Sequence, residues 1–154
     1  MTEFFRARPI WRIFAALVAL SLTPAFAEDP GEPPAFAPVP GETADLGAYV
    51  WTSRPVVVFA DSPADPAFAE QMRLLAARWP ELWARDVVVI TDTTPEPPSA
   101  LRQKLRPRGF SLVLFTKDGQ LSIRKPFPWD GREIMRAIDK MPIRREELRN
   151  GTAR

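Results

Sequence analysis

The chain has 154 residues, 45% of them hydrophobic, a formal charge of +2, and neither cysteine nor histidine. Those two side chains supply most nucleophiles, most acid–base catalysts near neutral pH and most transition-metal ligands. Their absence excludes thiol redox chemistry, Cys- or Ser-His-type hydrolysis and ordinary zinc or haem sites, leaving carboxylates, amines, hydroxyls and one tyrosine.

Residues 1–27 read as a cleaved export signal. Arg6, Arg8 and Arg12 form a positive leader, Ile13 to Leu22 an apolar stretch, and Ala25-Phe26-Ala27 a small-x-small cleavage pattern after Pro24. The stretch is about half the roughly 20 apolar residues a spanning helix needs. A periplasmic or secreted protein is expected, beginning at Glu28 and not stably inserted in a membrane. Residues 28–43 hold five prolines and two glycines and read as a flexible, polyproline-like tether. Residues 44–149 then form the folded domain, and 150–154 a frayed tail.

Within the domain, residues 44–51 predict a lead-in turn or short edge strand. The β-branched run Pro55-Val56-Val57-Val58-Phe59-Ala60 predicts a strand buried on both faces. Asp65 caps a helix with Pro66 at its first position, running to about Trp79 with Phe68, Met72, Leu75 and Trp79 on one face. Pro80 stops it, and Asp86–Thr91 supplies a second strand, making a parallel pair. Ser99 caps a short helix carrying Leu101 and Leu105. Strands over 110–116 and 121–125 close a hairpin through Lys117-Asp118-Gly119-Gln120. A last helix starts at Asp130, with Ile134, Ile138 and Met141 inward, and a charged tail follows from Pro142.

Beyond the signal, bases and acids balance at 18 each, but unevenly along the chain. Residues 28–97 carry four bases and twelve acids; residues 98–154 carry fourteen bases and six acids. Either the two halves attract each other within one small domain, or the second half offers a basic face. Zero net charge and export argue against a nucleic-acid partner.

The order β-α-β-α-β-β-α, with a parallel first pair and an antiparallel closing hairpin, resembles the thioredoxin fold, a single α/β domain on a mixed sheet. More narrowly, Arg54–Ala60, the Asp61-Ser62-Pro63 loop, Arg85–Val88, Gly109-Phe110-Ser111 and Asp139–Glu147 resemble a peroxiredoxin-like family of unknown function. Its members are bacterial exported proteins, related to domains of eukaryotic sushi-repeat and extracellular-matrix proteins. Redox members place a cysteine in the loop entering the first helix and a cis-proline before the third strand. Here those positions hold Ala64-Asp65-Pro66-Ala67 and Gly109 or Phe110. Without a thiolate there is no nucleophile for disulfide exchange or peroxide reduction.

Two groups are candidate ligand contacts. Asp61, Ser62 and Asp65 crowd the end of a central strand, where open α/β sheets place ligand sites, with Asp92 at the same rim; alternatively Asp65 only caps a helix and the others make a turn. Arg102, Lys104, Arg106 and Arg108 form either an anion patch or a solvated helix end. Arg144, Arg145 and Arg149 with Glu146 and Glu147 read as surface ion pairing, worth little per pair. Trp51, Trp79, Trp83 and Trp129 read as core anchors, Trp129 partly exposed. The expectation is a non-catalytic binding module for a periplasmic protein or small acidic ligand, without cofactor, catalytic residue or metal. The alternatives are an enzyme using carboxylates and hydroxyls, or an accessory to a cysteine-bearing redox protein.

Overall fold

The run of β-branched residues after Arg54 forms the centre of the sheet, because each of its residues has apolar neighbours on both faces. A computed structural model describes residues 31–154, so the signal expected over residues 1–27 lies outside the described residues. In it β2 (Arg54–Phe59) is buried at all six positions. It pairs in parallel with β3 (Val87–Asp92) and antiparallel with β4 (Ser111–Phe115). β5 (Leu121–Lys125) folds back on β4 through the expected turn, where the Thr116 amide donates to the Gln120 carbonyl at 2.8 Å. β1 (Val39–Pro40) adds in parallel to the outer side of β3, giving the order β1-β3-β2-β4-β5.

Period-2 alternation divides the core between the two faces of this sheet. Val56, Val58, Leu112 and Leu114 pack under α1 (Pro66–Ala76), α2 (Trp79–Trp83) and α4 (Gly131–Asp139), meeting Leu75, Leu82, Ile134 and Ile138. Val57, Phe59, Ile90, Val113 and Phe115 face the other way, onto Leu101 and Leu105 of α3 (Ala100–Leu105) and Leu46 and Tyr49 of a 3₁₀ turn (Leu46–Tyr49). Fully burying each such side chain is worth about 1.5–3 kcal/mol. The result is a mixed α/β single domain whose five-stranded sheet and helices are compatible with a thioredoxin-like fold.

The structure departs from the sequence reading in four places. The first helix ends at Ala76, and Pro80 opens α2 rather than ending α1, its missing N–H being harmless in a first turn. The charged tail is a helix, α5 (Pro142–Asn150), with Arg144 and Glu147 buried beneath it. From Pro34 onward the proline-rich segment is not free. The Trp79 indole N–H donates to the Pro34 carbonyl at 2.7 Å, Phe36 meets the Trp79 ring edge-on, and the Gly41 amide donates to Thr91. Trp51 is not a core anchor; it stands 65% exposed, with positive φ, beside the β4–β5 turn.

Candidate functional site

Two clusters of charge lie at opposite ends of the strands. At the end where β2 and β3 finish, Arg102 turns inward from α3. Its Nε donates to Asp92 Oδ1 at 2.8 Å, and its Nη2 donates to the carbonyls of Ala60 and Asp92. Its guanidinium lies 5.5 Å from the centre of the Phe59 ring. Asp92 is buried and also accepts from the Ser99 hydroxyl at 2.5 Å, so the residue that caps α3 also positions the carboxylate. Only Nη1 of Arg102 points toward the rim, 3.7 Å from the exposed carboxylate of Asp61.

The predicted rim residues therefore separate by role. Asp61 does meet Arg102. Ser62 accepts the Ala64 amide through its hydroxyl and Asp65 accepts the Ala67 amide at 2.8 Å, so both are engaged in the turn and the cap that open α1. Lys104 is exposed. Arg106 closes α3 in the left-handed region (φ 47°), a conformation disfavoured for a residue with a Cβ, and Gly109 follows with φ 60°. These two reversals bring Arg106 and Arg108 to a cleft of about 390 Å³ shared with Phe110, Ser111, Arg124 and Pro126. Arg124 reaches across it to donate to the Leu105 carbonyl at 2.9 Å. Arg106 and Arg108 make no ion pair among the described residues, and no acidic side chain lines the cleft.

Arg124 is the contact that sequence reasoning missed. Counting back from the turn would set it opposite Leu112, on the α4 face. A bulge between Leu114 and Phe115 shifts the register, so Arg124 stands opposite Val113 on the α3 face. An extra residue in one strand leaves no clear mark in the alternation of Leu121-Ser122-Ile123-Arg124-Lys125.

At the other end of the strands, Arg54 is fully buried and donates to Glu147 Oε2 at 2.8 Å and to the Arg85 carbonyl at 2.9 Å. Lys117 bridges Glu147 and Asp86, at 2.8 and 2.9 Å. Arg144 lies 3.5 Å from Glu147 and donates to the Ala84 carbonyl. Burial pushes the Glu147 carboxyl up, but hydrogen bonds from Lys117 and Arg54 and their positive charges outweigh it, so the group titrates below the ordinary glutamate value. Of the residues expected to pair at the surface, Arg144 and Glu147 belong instead to a buried network, while Arg145, Glu146 and Arg149 are exposed. Lys117–Asp86 and Arg102–Asp92 each set a late base against an early acid, the sense the charge asymmetry calls for, whereas Arg54–Glu147 and Arg85–Asp139 pair in the opposite sense.

Residues 45–147, which span both clusters, match the family model of a domain of unknown function, DUF4174. The chain belongs to that family. The match begins at the cap of the 3₁₀ turn and ends at Glu147, so this DUF4174 domain takes in the whole sheet except β1. No curated protein matches the chain at a significant level. Among the residues described for this DUF4174 protein, no helix is long and apolar enough to cross a membrane, and no cluster of three or more acidic groups could hold a metal ion.

Proposed function

We propose that this DUF4174 domain is a non-catalytic binding module whose ligand carries negative charge. The observation that supports it is the cleft of Arg106, Arg108 and Arg124, three guanidinium groups with no carboxylate among the lining residues. Planar forks of this kind suit carboxylates and related oxyanions. Arg102, held from behind by Asp92, gives the adjoining rim a fixed cation, and Asp61 sets the boundary of the site. The order of strands and helices favours descent from the thioredoxin-like, peroxiredoxin-like group. With no cysteine, the chain has no thiol to carry that group's chemistry. Residues 1–27 would direct it out of the cytoplasm, leaving a mature chain that begins at Glu28 and works as a periplasmic or secreted protein.

Calorimetric titration of the purified protein with citrate at low salt tests the binding reading. Binding should weaken by at least tenfold in Arg106→Gln/Arg108→Gln and fall as salt screens the charges. Equal affinity in wild type and variant would sink it. N-terminal sequencing of the exported form should begin Glu-Asp-Pro; an intact Met1 would overturn the export reading.

A further inference from the structure

β5 is the open edge of the sheet: its backbone pairs with β4 alone among the described residues, so alternate N–H and C=O groups point outward. A groove lies on each side of this edge. On the α3 side is the arginine cleft, which Arg124 shares. On the α4 side is a groove of about 510 Å³ floored by Ile123, Trp129, Ala137 and Met141. Lys125 is laid over the Trp129 ring at 5.0 Å, which holds the indole in place at the groove's end.

We propose that β5 receives an extended peptide segment as a sixth strand, with acidic side chains toward the arginines and apolar side chains toward Trp129. The proposal rests on the reading of the cleft as an anion site and names its ligand class. The argument is one of period. Successive residues of a strand point to opposite faces, so a ligand lying beside β5 must present one kind of side chain to Arg106, Arg108 and Arg124 and another to the apolar floor. Alternating acidic and apolar residues meet both demands while the backbones pair, which is how β-strand addition divides affinity from specificity. A second copy of β5 is the wrong occupant, because its sequence Leu121-Ser122-Ile123-Arg124-Lys125 has no carboxylate to offer the arginine cleft and adds two further cations to it. The cations of the cleft thus select an oppositely charged strand.

The test uses the whole protein and a blocked nine-residue peptide of alternating glutamate and valine. Controls are the same peptide N-methylated at alternate backbone nitrogens, in either of the two phases, and citrate. Calorimetry reads affinity, and amide hydrogen exchange by NMR reads residues 121–125. The peptide should slow exchange of the outward β5 amides at least tenfold. One phase of N-methylation should weaken binding at least tenfold, and Arg108→Gln should weaken it without changing the fold. If citrate binds but the peptide does not, or if it binds with β5 exchange and N-methyl sensitivity unchanged, strand addition is overturned while the anion site stands. If neither binds, both readings fail. Slowing of β5 amides by protein concentration alone would show that a second copy occupies the edge and would also overturn the proposal.

Discussion

Replacing Glu147 with glutamine separates a buried network from a surface ion pair. In the native protein the Glu147 carboxylate accepts from Arg54 and Lys117, both at 2.8 Å, and Arg54 has no exposure to water. The Arg54 Nε already lacks a hydrogen-bond partner. Glutamine removes the charge and turns one acceptor into a donor facing cations, so the buried guanidinium loses its charged partner at 2.8 Å and keeps as counter-charge only Asp86 at 3.5 Å, which Lys117 shares. Breaking one side of a buried pair costs about 3–5 kcal/mol, a large part of a typical total of roughly 5–15 kcal/mol. For a domain of this size that is a fall in Tm of about 10–20 °C. Urea unfolding at pH 7 would read it as a lower midpoint at unchanged m. The neighbouring, exposed Glu146→Gln should stay within about 0.5 kcal/mol. Replacing both partners, Arg54→Met with Glu147→Leu, should recover most of the loss, since Lys117 keeps Asp86 and Arg144 keeps the Ala84 carbonyl. A loss below about 1 kcal/mol in Glu147→Gln, the range of exposed pairs, would refute the reasoning.

The same carboxylate sets an acid limit. Because its folded pKa lies below the reference value of 4.5, its contribution is complete above that value and is lost as pH falls through the folded one; urea midpoints should therefore fall more steeply with acid in wild type than in Glu147→Gln. Asp65→Ala should cost about 0.5–2 kcal/mol, with Asn or Ser restoring most of it, because the Ala67 amide needs an acceptor and not a charge; chemical denaturation of the three variants checks this. Gly119→Ala should lose roughly 1–2 kcal/mol, since φ is +84° and the new Cβ would sit 3.0 Å from Val50 Cγ2; thermal unfolding with an unchanged Tm would contradict it.

What could be read from the sequence was what neighbouring residues decide. The valine runs of β2 and β3, the Asp-Gly turn, and the caps at Asp65, Ser99 and Asp130 are local signals, and each sits where expected. What could not be read depends on distant partners. Pro34–Gly41 has an extended backbone in either a free tether or a docked edge, and Trp79 and Thr91 decide which. Arg102 lies in α3 and Arg106 just past its end, four residues on, yet Asp92 draws the first inward while the second is left outside. Glu147 is buried because its partner Arg54, which lies far back along the chain and whose only other carboxylate is Asp86 at 3.5 Å, is fully buried.

β1 is two residues long and ends in proline, with Pro38 before it. A proline has no N–H to donate. Laid along β3, this segment therefore closes one side of the sheet with a strand that cannot serve as a template for the next. Growth of a fibre by repeated edge-to-edge stacking requires two competent sides per molecule, and the sheet of the described residues offers one. Edge-to-edge assembly begun at β5 therefore stops at a pair instead of propagating, which suits a domain that must keep an open strand in water without polymerising.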